Sequence, residues 1–325
     1  MGIQKNRFLQ VALAVSALML GAAQSHAQYP DRPIRMVVPI AAGGGTDLFA
    51  RVVSNRLSGV LGQQVIVENK PGAGFLIGIR DVVKSPPDGY KLLFVTNTPA
   101  IDEVTRKEPE FRLMRDLTPV SSIATLYVGV VVPAALPVNN LREYLAYAKA
   151  NQGKLNYASS GQYTFGHLIT ARFLQLAGVQ MTHVPYAGNG PAMDAIMGNH
   201  VQLLMNDTSA SMAAVQANKA RILAIGSPKR LEVLSDIPTI DENGFPGFVS
   251  AFKFWVFGPA GLPADILNKL NASIQTVLRS PEVQEDARKR GYVIDGGAAS
   301  EFREVVESEI RTMVQVVKDM NLPQR

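Results

Sequence analysis

An α/β chain folded into two lobes, with two strands joining them, is what the sequence predicts. Three observations lead there. From residue 34 onward, short β-rich runs alternate with helical patterns, as in βαβ units carrying a largely parallel sheet. Two longer apolar runs, 122–132 and 252–257, have no helical partner beside them and bracket the middle of the chain. The length, 325 residues, suits about two domains. A chain that leaves one lobe through the first run and returns through the second builds lobe 1 from 28–124 and 253–325, and lobe 2 from 125–252.

Residues 34–40 (IRMVVPI) read as a buried strand and 48–61 as a helix, with Thr46 or Asp47 as N-cap and Gly62 just past its end. A strand at 65–68, a helix at 76–84, the turn Pro86-Pro87-Asp88-Gly89 and a strand at 91–96 follow. Residues 102–116 are charged and poorly periodic, as in a surface excursion. Asn140 caps a helix at 141–150, and a strand at 155–158 runs into the loop 159–166. A helix at 168–177, a strand at 182–186 and a short helix at 191–197 opened by Pro191 come next. Strands at 201–205 and 221–225 flank a helix at 211–217, and a Pro- and Gly-rich connector spans 227–247. Helices at 264–278, 282–289 and 300–320 finish the chain.

The first residues read as an export signal. Lys5 and Arg7 precede an apolar core at 8–20, and Ser25-His26-Ala27 places small residues for a cut before Gln28. That core is short for a membrane anchor, and no later run is long enough to span. The mature chain is expected to be exported, with the signal peptide 1–27 cleaved. With 47% hydrophobic and 18% charged residues and no Cys, the rest is neither disordered nor disulfide-stapled. A net charge of +5, two of it from the leader, is too mild for a nucleic-acid surface.

Three strand-to-helix loops could bind an anion. In Gly43-Gly44-Gly45-Thr46-Asp47, glycines allow close approach and the helix start offers free N–H groups. No Gly-Lys-Ser/Thr follows, so this is not a nucleotide P-loop; a plain turn is the other reading. The run Pro71-Gly72-Ala73-Gly74-Phe75 misses the dinucleotide fingerprint by one residue and suits a second helix-start loop. Ser159-Ser160-Gly161-Gln162-Tyr163-Thr164 is rich in hydroxyls and amides that could hold a carboxylate, or Thr164 could simply cap the next helix. Asp207, after Asn206 at a strand end, could orient ligand donors or cap a helix. Catalytic signals are sparse. His167, His183 and His200 lack metal-ligand spacing, no cofactor motif is evident, and no nucleophile elbow occurs. The alternative to a binding protein is a periplasmic hydrolase or isomerase using Asp207 and His167 as an acid–base pair.

Several segments carry a family resemblance: YPDRPIRMVVPIAAGGGTD (29–47), GQQVIVENKPGAG (62–74), PDGYKLLF (87–94), LNYASSG (155–161), HVPYAGNGPAMDAIMGNHVQLL (183–204) and DIPTIDENGFPGF (236–248). In this order they resemble the Bug/TctC-type periplasmic solute-binding proteins of tripartite tricarboxylate transporters. The resemblance implies a type II-like periplasmic-binding-protein fold closing by hinge bending on a small organic acid. It also implies no cofactor, a monomer, and the transporter's membrane subunits as partners. Residues carried onto the ligand-facing places are Gly43, Gly44, Gly45, Thr46, Asp47, Thr96, Asn97, Ser159, Ser160, Gly161, Gln162, Tyr163, Thr164, Tyr186 and Asp207, and Asn206 beside Asp207 is a further candidate. The chain departs from the family at Phe75 and Tyr163, where Gly or Asn and Gly are usual. With Phe165, these rings suit a flat ligand such as a benzoate- or terephthalate-type mono- or dicarboxylate, or they merely fill space.

Overall fold

The computed structural model describes residues 29–43 and 45–319; the expected export signal, Gly44 and Met320 lie outside them. Lobe 1 opens with β1 (Ile34–Val38), which pairs in parallel with β2 (Val65–Asn69) and β3 (Lys91–Thr96). Helix α1 (Gly45–Leu61) buries Phe49, Val53 and Leu57, one turn apart, against this sheet. Phe49 meets Phe94 and Phe254 edge-on. Helix α2 (Leu76–Val83) covers the other face.

The stretch expected as a surface excursion is instead partly helical: α3 (Thr98–Thr105) and α4 (Leu113–Asp116). Pro99 stands in the first turn of α3, where a missing N–H costs nothing, and Ile101 and Thr105 are buried despite the surrounding charge.

Strand β4 (Leu117–Pro133) then crosses into lobe 2. There follow α5 (Leu141–Ala150), β5 (Asn156–Ser159), α6 (Phe165–Ala177), β6 (Thr182–Pro185), α7 (Asn189–Met197), β7 (Leu203–Asp207), α8 (Thr208–Gln216) and β8 (Ala220–Ile225). The Asn140 side chain accepts the Glu143 N–H at 2.9 Å, the cap expected there. Helix α6 starts at Phe165, earlier than its periodicity suggests, because Thr164 caps it.

The chain returns through β9 (Ala251–Pro259) and ends in α9 (Ala264–Leu278), α10 (Pro281–Lys289), β10 (Tyr292–Ile294) and α11 (Ala299–Asp319). The strand order is β2-β1-β3-β9-β4-β7-β5-β6, with β8 and β10 also on β4. The sheet is therefore mixed rather than largely parallel. The βαβ units are parallel, but every pairing of β4 and β9 is antiparallel, because these strands run opposite ways between the lobes.

The crossing point is sharply defined. Strand β4 pairs with β9 from Leu117 to Tyr127, and with β7 from Val128 onward. Three backbone bonds of 2.9 Å knit the junction: Val128 N–H to Ser250 O, Ser250 N–H to Gly226 O, and Gly226 N–H to Val128 O. A Cβ at Gly226 would overlap the Ser250 hydroxyl, so the three chains approach this closely only with Gly there. Behind the junction, Met313 and Val316 of α11 pack into the lobe 2 core beside Ile101 of α3.

Candidate functional site

Between the lobes lies a cleft of about 740 Å³. In a βα unit the helix begins where the strand ends, so each lobe aims its helix starts at this space. Six helices begin at its wall: α1 with Gly45 and Thr46, α2 with Phe75, α3 with Thr98, α6 with Thr164 to Gly166, α7 with Gly188 and Asn189, and α8 with Asp207 to Ala210. Each start carries a partial positive charge worth roughly 0.3–1 kcal/mol to a nearby anion. The α8 start is already met by the protein's own carboxylate: Asp207 accepts the Ala210 N–H at 2.5 Å. Burial raises the Asp207 pKa, opposed by that bond. Leu126, Phe252 and Phe254 of the joining strands form an apolar floor, and Phe165 packs on Phe252 in a tilted pair, centroids 4.9 Å apart.

Of the residues singled out by sequence, Gly45, Thr46, Phe75, Thr96, Ser160, Thr164 and Asp207 line this cleft. Others stand behind it. Asp47 is buried and takes hydrogen bonds from the Gly43 N–H, Asn69 and Arg51 at 2.8, 2.8 and 3.1 Å, fixing the glycine loop. Burial pushes its carboxyl pKa up, but these donors outweigh that and hold it below the ordinary value. Asn97 turns away from the cleft: it donates to Glu309 Oε1 at 2.7 Å, and Glu309 also takes Lys253 Nζ. Asn206 is buried against Ser211, and Gln162 is exposed. Tyr186 donates its N–H to Ser159 O and otherwise packs on a lobe 2 core.

The loop 159–164 rests on a stack of rings. His167 and His183 lie face to face, centroids 3.9 Å apart and planes within 4°, with the Tyr157 ring nearly parallel to both, 4.9 Å from His183 and 6.3 Å from His167. Ser159 Oγ lies 2.7 Å from His183 Nε2 and also bonds Gly161, while His167 Nδ1 accepts the Tyr163 N–H at 3.1 Å. Thr164 closes the turn by donating to Gly161 O at 2.7 Å. Burial, then the neighbouring His183, lowers the His167 pKa to about 4, so the pair is neutral at pH 7. Tyr163 stands edge-on to His167 rather than on the cleft wall. Among the described residues Asp207 and His167 share no hydrogen bond: the Asp207 carboxylate accepts the Ala210 N–H, and His167 Nδ1 accepts the Tyr163 N–H.

Among the lining residues that the sequence reading did not single out, two carry polar side chains from the last part of the chain. Arg290 and Tyr292 border the cleft from the turn joining α10 to β10, and Arg290 is the one cation on the wall among the described residues. No motif announces them; a three-residue strand placed against β4 brings them in.

Two lobes on shared strands, with helix starts converging on a cleft between them, define a solute-binding receptor. The chain belongs to the tripartite tricarboxylate transporter family receptors, whose family model matches residues 49–322. It is 36% identical to the UPF0065 protein in the gbd 5′ region of Cupriavidus necator, covering 88% of this chain and 89% of that one. The periplasmic binding protein BugD is 30% identical with a TM-score of 0.78, covering 91% of this chain and all of the other. Rpa4515 of R. palustris, solved with adipate, is 32% identical with the same TM-score, covering 90% and 98%. This is therefore a periplasmic solute-binding protein rather than an enzyme.

Proposed function

We propose that the protein captures a small organic carboxylate in the interlobe cleft and delivers it to the membrane subunits of a tripartite tricarboxylate transporter. The observation that carries this reading is the convergence of six helix starts on one cleft. Such a set of N–H groups and hydroxyls holds a carboxylate without a matching counter-charge. That a neighbour in the family was solved with adipate supports the ligand class. Lobe 1 (28–124 and 253–325) and lobe 2 (125–252) close by bending β4 and β9 at the junction of Val128, Gly226 and Ser250.

The aromatic floor and Phe75 favour a flat ligand such as terephthalate over citrate. Phe75 keeps its place at a backbone cost: its φ of 76° is left-handed, strain of about 1 kcal/mol or more for a bulky residue. A side chain retained where the family usually has Gly or Asn supports contact with the ligand.

Calorimetry and thermal shift with malate, adipate, citrate, nicotinate and terephthalate test the reading. Saturable binding of an unchanged acid, with a smaller radius of gyration in scattering, is expected. No binding by any of them, or turnover of one, refutes it; binding of citrate alone refutes the aromatic preference.

A further inference from the structure

Arg290 does not belong to the helix-start machinery, yet it stands in the same cleft. It follows the last residue of α10, and its Nε donates to Asp286 Oδ2 at 2.8 Å, one turn back. This tether orients the guanidinium and uses one of its five donors. Among the described residues its terminal amines make no further hydrogen bond or ion pair. Beside it, the Tyr292 hydroxyl faces the α1 start: a Cβ at Gly45 would lie 3.4 Å away. Gly291, between them, abuts Thr208 and Ser209 at the start of α8, so this turn of lobe 1 meets lobe 2 at the cleft's rim. Arg290 and Tyr292 thus line the cleft together, with the Tyr292 hydroxyl beside Gly45.

We propose that Arg290 anchors a second acidic group, making the cleft selective for dicarboxylates: one carboxylate sits at the helix starts and the other on the guanidinium. This rests on the carboxylate-receptor reading above. Helix starts can satisfy one carboxylate, but a second full charge among Phe165, Phe252 and Phe254 needs a counter-ion, and Arg290 supplies one in the planar geometry a carboxylate matches. A monoacid of the same length leaves the guanidinium facing an alkyl or aryl end when the lobes close. The site therefore disfavours monoacids as well as favouring diacids.

Matched pairs test this: adipate against hexanoate, and terephthalate against benzoate, titrated calorimetrically into wild type, Arg290→Gln and Arg290→Lys, with unliganded melting curves as a folding check. The expected result is a wild-type preference of at least about tenfold for the diacid of whichever pair binds. In Arg290→Gln the diacid should weaken about ten- to hundredfold while the diacid-to-monoacid ratio collapses toward one; Arg290→Lys should fall between. Equal wild-type affinity for both members of a pair, or an unchanged ratio in Arg290→Gln, overturns the proposal while leaving the receptor reading standing. Equal weakening of diacid and monoacid overturns it too, since that is a general structural effect. Binding of none of the four acids, or of the other acids tested above, removes the receptor reading and this inference together.

Discussion

Acidification should weaken this protein through His167. Its ring is 7% exposed, stacked on His183, and its Nδ1 holds the Tyr163 N–H, so a proton there must displace a hydrogen bond and place charge beside a second imidazole. Burial and His183 lower its pKa from 6.5 to about 4. With the folded value depressed, the stability is intact above the unfolded pKa and is lost as pH falls from 6.5 toward 4, because the unfolded chain takes up the proton first. The full gap corresponds to about 3 kcal/mol, and roughly 2 kcal/mol of it is already gone at about pH 5. The assay is urea denaturation of wild type and His167→Gln at about pH 7.5 and pH 5; the Gln oxygen can still accept the Tyr163 N–H. Wild type should lose about 2 kcal/mol more than the variant over this interval. Equal losses would refute the reasoning, and would mean that the stack already carries a proton or opens without cost.

Three further outcomes follow from the geometry. Phe75→Gly removes left-handed strain worth about 1 kcal/mol and gives up some burial, so the melting temperature should barely move. Terephthalate affinity should drop roughly tenfold with malate unaffected, both read by calorimetry. Glu309→Ala strands Asn97 and Lys253 behind the hinge and should cost about 2 kcal/mol in chemical denaturation, Lys253 being partly solvated. Gly226→Ala drives a methyl into Ser250 at the crossing point; it should destabilise by about 1–3 kcal/mol and alter the compaction seen by scattering on ligand binding.

Much of the fold was legible because local chemistry and tertiary structure agree. Asn140, Thr164 and Asp207 cap helices as residues of their type do, and the strand at Lys91–Thr96 has the expected bounds. The two joining strands stood out as apolar runs that bracket the middle of the chain. What stayed hidden depends on distant partners. Helix α3 is masked by charge until its apolar side meets the core, and β10 is too short to have a period. Asn97 was expected to face the ligand through the family resemblance. Glu309, far along the chain, draws its amide backward instead. Arg290 came into view only when β10 paired with β4.

Inserting β5 to β8 and their helices between β4 and β9 also sets the order in which the polypeptide can mature. During synthesis β1, β2 and β3 emerge first, but the neighbour that covers β3 is β9, which arrives only after all of lobe 2 has been made. Until then β3 presents a bare, apolar edge open to pairing with other chains, a recognised route to aggregation. A late partner of this kind also makes assembly slow. A polypeptide wired in this way gains by staying unstructured until its last segment is in hand.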